Sequence, residues 1–323
     1  MDPWLGNKMV QVSVILSTYN SPDWLAKVLW GYSAQSYPHF EILVADDGST
    51  PATAALIARM QHDTGLMLRH VWQEDQGFRK CRILNRAILA ARGEYLIFSD
   101  GDCIPRKDFV AQHVRFAKPN QFLSGGIVRL PMDLSVRISR EDILNGSIFR
   151  PTSLLALGMP WTRKLRFLVT KPWLAWTFER FSLTRATFNG YNSSAWKVDV
   201  ESVNGFDERL YYGGLDRELG ERLTNASIRP QSLRHQTTCL HLDHSRGYSD
   251  PELIAANQRI RCETRRKRCT WTSFGLNHDS LKPPEYILDR GSWQSVDEET
   301  IIPFSSDAVR NSSTRSPLNR HAA

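Results

Sequence analysis

Along the first hundred residues, short apolar runs alternate with longer stretches whose apolar positions recur at helical spacing. Val10 to Leu16 is a β-branched run ending at the polar loop Ser17-Thr18-Tyr19-Asn20, which predicts a buried strand. Pro22 to Ser36 places Trp24, Leu25, Val28 and Leu29 on one stripe, which predicts a helix. Glu41 to Ala45 reads as a second buried strand, closed by Asp46-Asp47-Gly48-Ser49. A helix near Pro51 to Thr64, a strand near Met67 to Trp72, a helix from Ile83 to Ala91 and a strand from Tyr95 to Phe98 follow.

This alternation predicts an α/β fold with a mostly parallel central sheet and helices on both faces. Ligands of such sheets bind beyond the carboxyl ends of the strands. The polar clusters fall at those ends: after Leu16, after Ala45 and after Phe98. Over residues 130–187 the alternation fades into an Arg- and Trp-rich insertion carrying Trp161, Trp173 and Trp176. Order returns from Phe188 to Leu242, with a helix expected from Asp216 to Asn225. Residues 1–270 therefore read as one domain. Residues 271–323 are polar and are expected to be largely disordered.

Composition adds a preference but no identity. The net charge of +7 favours an anionic partner, and nucleotide diphosphates, acidic lipids and nucleic acid all qualify. The five scattered cysteines form no C-x-x-C pair, which suits reduced thiols in a cytosolic setting. The first residues lack a signal-peptide pattern, and no apolar stretch is long enough to span a bilayer. A cytoplasmic protein is expected, with peripheral contact to the inner membrane through basic segments.

Each candidate motif has a plain structural alternative. Asp100-Gly101-Asp102 offers two carboxylates to a hard divalent cation at a strand end, and it is also a common turn composition. Asp46-Asp47-Gly48-Ser49 can accept from a ribose or a base N–H, or Ser49 or Thr50 can cap the helix that Pro51 opens. Asp75 to Arg82, with Gln76, Arg79 and Arg82, brings cations to a strand–helix junction, suited to a diphosphate or to a solvated helix face. Asp216 lies near the start of its helix, as a general base or as an N-cap. His241 and His244 offer a metal ligand, or a zinc site with Cys239 that lacks a fourth ligand nearby. Asp250 to Arg268 is basic and amphipathic, and fits either an anionic membrane surface or solvent.

Taken in order, Val12 to Asn20, Ala45 to Ser49, Asp75 to Asn85, Asp100-Gly101-Asp102, Asn204 to Glu208, Gly213 to Leu223 and His241 to His244 resemble the family 2 glycosyltransferases with the GT-A fold. The later motifs are similar to the galactosyltransferase-like branch, shared with chondroitin-type polymerases and β-1,4-galactosyltransferases. The resemblance covers about Gln11 to Gly247. It implies a UDP-sugar donor site formed by Ser17, Thr18, Tyr19, Asn20, Asp47, Gln76, Arg79, Arg82, Asp100 and Gly101. Ser17, Tyr19, Asp47 and Arg82 would hold the uridine. It further implies Asp102 as ligand to Mn2+ (or Mg2+), with His244, or less favourably His241, as a further ligand, and Asp216 as catalytic base. The family usually carries Glu-Asp where this chain has Leu215-Asp216, which leaves the acceptor side open.

The reading is an inverting transfer of a hexose or N-acetylhexosamine to a hydroxyl of a surface glycan or a lipid-linked acceptor. A catalytically degenerate nucleotide-sugar or glycan-binding module is the alternative. A nucleic-acid-binding protein is disfavoured, since no such motif is present and acidic strand ends repel phosphate.

Overall fold

The computed structural model describes residues 11–182, 184–245 and 250–277, and the backbone of 286–289 and 292–294. Strand β1 (Val12–Thr18), helix α1 (Pro22–Ser33), β2 (Phe40–Asp46), α2 (Pro51–Thr64), β3 (Leu68–Trp72), α3 (Lys80–Ala90) and β4 (Tyr95–Asp100) alternate as expected. They are followed by β5 (Cys103–Pro105), α4 (Phe109–Phe116) and β6 (Gln121–Arg129). The insertion contributes four short helices, α5 (Met132–Arg137), α6 (Arg140–Leu144), α7 (Pro151–Ala156) and α8 (Pro172–Arg180). Then come β7 (Ser193–Trp196), α9 (Lys197–Ser202), α10 (Leu215–Asn225), β8 (Arg229–His241), α11 (Pro251–Arg266), β9 (Tyr286–Asp289) and β10 (Ser292–Gln294).

Among the described residues these strands form one sheet, in the order β10-β9-β3-β2-β1-β4-β7-β6-β8-β5. Its centre, β3-β2-β1-β4, is parallel throughout. Strands β5, β7 and β9 join antiparallel, so the sheet is mixed, in an α/β domain. The β-strand repeat of two sorts the apolar side chains to opposite faces. Val12, Val14, Leu16, Ile42, Val44 and Ile97 enter one core, and Ile15, Leu43, Ala45, Leu96 and Phe98 enter the other. Burial on both faces explains why these strands read as continuous apolar runs.

Three boundaries differ from the expected ones by three residues or more. Helix α1 stops at Ser33 instead of Ser36, and the Gln35 N–H folds back to the Tyr32 carbonyl. Helix α3 begins at Lys80, three residues before Ile83, because Cys81 already packs in the core. Residues 271–277, assigned to the tail by composition, are packed on the domain: Asn204 Nδ2 donates to the Thr272 carbonyl at 2.7 Å, and Leu276 is buried. Strand β9 pairs with β3 within the same expected tail. The rest of 278–323 and Val10 lie outside the described residues.

The insertion is not peripheral to folding. Leu134, Ile143, Phe149, Leu154 and Leu168 are buried in the same core as β1 and β2. At about 1.5–3 kcal/mol for burying a large apolar side chain, this docking stabilises the domain substantially.

Candidate functional site

The loops after β1, β2 and β4 are knitted together at the carboxyl edge of the sheet. The Gly101 N–H donates to the Ser17 carbonyl at 2.8 Å and the Asp47 N–H to the Thr18 carbonyl at 3.1 Å. Asn20, at φ 44°, holds the β2 loop from both directions: its N–H donates to Ser49 Oγ, and its Oδ1 accepts from the Thr50 N–H. Neither Ser49 nor Thr50 caps α2 through its side chain. A Cβ on Gly101 would stand 3.0 Å from the Ser17 carbonyl oxygen, so the loops meet closely there.

The neighbouring aspartates of the β2 loop have separate roles. Asp46 is wholly buried; it accepts from the Ser49 N–H at 2.8 Å and meets His70 Nε2 at 2.9 Å, which fixes the loop. Asp47, also buried, accepts from Gln73 Nε2 at 2.5 Å and the Arg79 N–H at 2.8 Å. Burial pushes the Asp47 carboxyl up to about 6, against the pull of those two donors. Tyr19, half exposed, donates to Asp75 Oδ2 at 2.8 Å. Gln76 and Arg79 lie in the exposed loop and bond to each other at 2.8 Å. Arg82 is partly buried at the start of α3.

Strand β4 delivers two carboxylates with different partners. Asp100 accepts from Ser17 Oγ and from Lys80 Nζ, both at 2.7 Å. Asp102 Oδ2 lies 3.1 Å from His244 Nε2 and 3.7 Å from His241 Nε2, whose rings stack at 5.4 Å. Burial opposes the charge on Asp102, but the His244 contact and the nearby His241 hold its carboxyl below the ordinary carboxylate range. Strand β8 ends at His241 and pairs with β5, which brings that residue and the segment that follows, with His244, to Asp102: Cys103 is in register with His241, and the Leu242 N–H donates to the Asp102 carbonyl.

One oxygen or nitrogen from each of Asp102, His241 and His244 falls within a 4.8 Å circle. The residues fit a divalent cation on a further observation. His244 Nδ1 lies 2.7 Å from the Ser245 carbonyl, which can only accept, so the proton sits on Nδ1. That leaves the Nε2 lone pair of the neutral ring facing a carboxylate oxygen, an arrangement that calls for a cation or a proton between them. Cys239 is not the third member of the cluster: its thiol points to the Gly126 and Tyr191 carbonyls. Cys103 lies near Asp100 and Asp102, and burial drives its thiol well above the usual thiol range.

Asp216 stands in the first turn of α10, after Gly213 and Gly214 at φ 99° and 100°, a conformation that suits glycine. Gly190 approaches so closely that a Cβ there would sit 2.7 Å from Asp216 Oδ1. Burial raises the Asp216 carboxyl, the Lys80 ammonium lowers it, and Asp100 raises it again. Lys80 resists the same burial: Asp100 and Asp216 hold its ammonium well above the usual lysine range. Lys80 therefore links the β4 carboxylates electrostatically to α10. Sequence reasoning passed over it in favour of Arg79 and Arg82, since adjacent cations at a helix start differ only in where the first turn aims them. Leu215 is buried in the core and does not line the cleft.

The model of glycosyl transferase family 2 matches residues 13–165, from β1 into the insertion. An uncharacterized glycosyltransferase of Bacillus subtilis, YfnE, is 26% identical over 293 residues, which cover 79% of this chain and 70% of that protein. Validoxylamine A glucosyltransferase of Streptomyces hygroscopicus subsp. jinggangensis is 26% identical over 298 residues, covering 90% of this chain and 67% of that protein. Among solved structures, mannosyltransferase PcManGT from Pyrobaculum calidifontis, in complex with GDP-Man and Mn2+, superposes with a TM-score of 0.51 at 22% identity. The match covers 81% of this chain and 63% of that one, so the chain spans about two thirds of that mannosyltransferase. Residues 13–165 are thus similar to glycosyl transferase family 2, and the domain that contains them has a GT-A-like fold.

Proposed function

We propose that the chain is an inverting, metal-dependent glycosyltransferase of the galactosyltransferase-like branch. It would move a hexose or N-acetylhexosamine from a UDP-sugar to a hydroxyl of a surface glycan or a lipid-linked acceptor, at the cytoplasmic face of the membrane. The observation that carries this reading is the convergence of Asp102, His241 and His244 at the end of β4, beside Asp100 and Lys80. The Mn2+ found with GDP-Man in the mannosyltransferase supports a divalent ion in a related fold.

In this reading Asp47 and the Ser17 to Asn20 loop receive the nucleoside, with Tyr19 beside the base. Gln76, Arg79 and Arg82 approach from the α3 side. Asp102, His241 and His244 would hold the cation, and imidazole ligands favour Mn2+ over Mg2+. When bound, the ion supplies positive charge that stabilises the departing diphosphate. Asp216 takes the proton from the acceptor hydroxyl. Its oxygen forms the new bond to the anomeric carbon as the bond to the diphosphate breaks, and that electron pair leaves with UDP. The positive end of the α10 dipole and the Lys80 ammonium both favour the charged form of Asp216 that this step requires.

Among the described residues no helix is long and apolar enough to cross a membrane.

The test is Mn2+-dependent hydrolysis and transfer with a panel of UDP-sugars. Asp216→Asn should lower kcat by about 10²- to 10⁴-fold with KM for the donor little changed, the span typical of a general base. Asp102→Asn should abolish the response to Mn2+. Full activity in both variants, with folding intact, overturns the assignment. Retained donor binding with no turnover in the wild type favours the degenerate binding module.

A further inference from the structure

The insertion presents a surface that the transfer reaction does not use. Helix α8 packs its inner side on β8, where Ala175 is buried and Glu179 accepts from the His235 N–H at 3.0 Å. Its outer side carries Trp173 and Trp176, 66% and 62% exposed, one turn apart, and ends in Phe181 at 76%. Trp161, in the same insertion, is 74% exposed. Trp173, Trp176 and Phe181 thus stand in water on α8 and its C-terminal cap, an apolar surface without a partner among the described residues.

Charge identifies the occupant. Glu179 is the single carboxylate in residues 143–187, and it is turned inward onto His235. The exposed charges are therefore all cationic, among them Arg163, Lys164, Lys171, Arg180 and Arg185. Sugar hydroxyls are gripped by planar carboxylates and amides. The segment offers no outward carboxylate and one amide, Asn145, whose Oδ1 already accepts from the Ser147 N–H. Tryptophan with Lys and Arg, and without acids, matches the headgroup layer of an anionic bilayer. Helix α11, the other basic segment, differs: Arg261 and Arg265 pair with Glu221, and Lys267 pairs with Glu263. The insertion also borders the site, since a cavity of about 270 Å³ lined by Met159, Thr162 and Lys164 reaches Arg129, which is in register with His241.

We propose that the outer face of α8, with Trp173, Trp176 and Phe181, seats the protein on an anionic bilayer, the surrounding cations binding lipid phosphates. The contact requires no transferase activity, so its failure and the failure of the assigned reaction are separate results.

Sedimentation with vesicles of phosphatidylcholine alone, or mixed with phosphatidylglycerol, tests it. The full chain should bind the anionic vesicles at least about tenfold better than the neutral ones. Trp173→Ser/Trp176→Ser/Phe181→Ser should lose about tenfold or more, with an unchanged melting temperature. Arg259→Gln/Arg266→Gln on α11 should bind within about twofold of the wild type. In the wild type, brominated lipid should quench tryptophan fluorescence, which reads insertion without any variant. Equal binding to both vesicles, no binding, an unaffected triple variant or loss in the α11 variant overturns the proposal. Self-association abolished by the triple variant, without vesicle binding, would instead make the face a contact with a second copy.

Discussion

At the residue scale, the site turns on a few charges that burial alone would neutralise. Lys80 touches Asp100 at 2.7 Å and its charge reaches Asp216. Since Lys80 lowers the Asp216 carboxyl, Lys80→Gln should raise it, moving the acidic limb of the kcat/KM profile to higher pH. A profile that keeps its limb in place would separate Lys80 from the base. Asp47 gives a second pH dependence. Its carboxyl, pushed up to about 6 by burial, accepts more strongly from a base or ribose donor when charged. UDP affinity should therefore strengthen as pH rises through about 6 and weaken below it. Titration calorimetry of Asp47→Asn should lose that dependence. An unaltered curve in this variant would assign the proton elsewhere.

Helix α10 is the element that aims the proposed base. Its register is anchored from beneath by Arg222, fully buried, which pairs with Glu218 at 2.7 Å and donates to the Val203 and Gly205 carbonyls. Thr264 Oγ1 donates to the same Glu218, so α11 is tied in as well. Arg222→Met leaves Glu218 buried without its counter-charge, a change that typically costs about 3–5 kcal/mol. Chemical denaturation should show that loss. A shift under about 1 kcal/mol would mean that Glu218 takes up a proton or finds water instead. Strand β8 plays the matching part for the histidines: its pairing with β5 brings His241 beside Asp102 from far along the chain.

For the whole molecule, the sheet separates two apolar cores while its carboxyl edge gathers the polar loops. The insertion closes one core with its inner side and leaves aromatic, cationic side chains outside. The insertion and the site come together at the end of β6, where a cavity lies between Lys164 and Arg129, the register partner of His241. Ion pairing also distinguishes the two basic segments, which charge counting treats alike: the exposed cations around α8, such as Lys171 and Arg180, meet no outward carboxylate of their own segment, whereas Arg261 and Arg265 of α11 pair with Glu221 on α10 and Lys267 pairs with Glu263.

The parallel centre of the sheet, the loops that end β1, β2 and β4, and the start of α10 were all readable from sequence by itself. Strand burial leaves a local mark in apolar periodicity, and the turns that follow need Asp, Gly, Asn and Ser in adjacent positions. Asp47, Asp100, Asp102, His244 and Asp216 could be singled out as candidates because their motifs are contiguous, with their roles implied by the resemblance. Tertiary structure decided what depends on approach between distant segments. It turned Lys80 rather than Arg79 toward Asp100, put His241 beside His244 at Asp102, buried Leu215 in the core, and set Gly190 against Asp216. It also turned Glu179 inward and left Trp173 and Trp176 outside. Charge and residue type are local properties, but the direction a side chain faces is set by which distant strand or helix packs beside it.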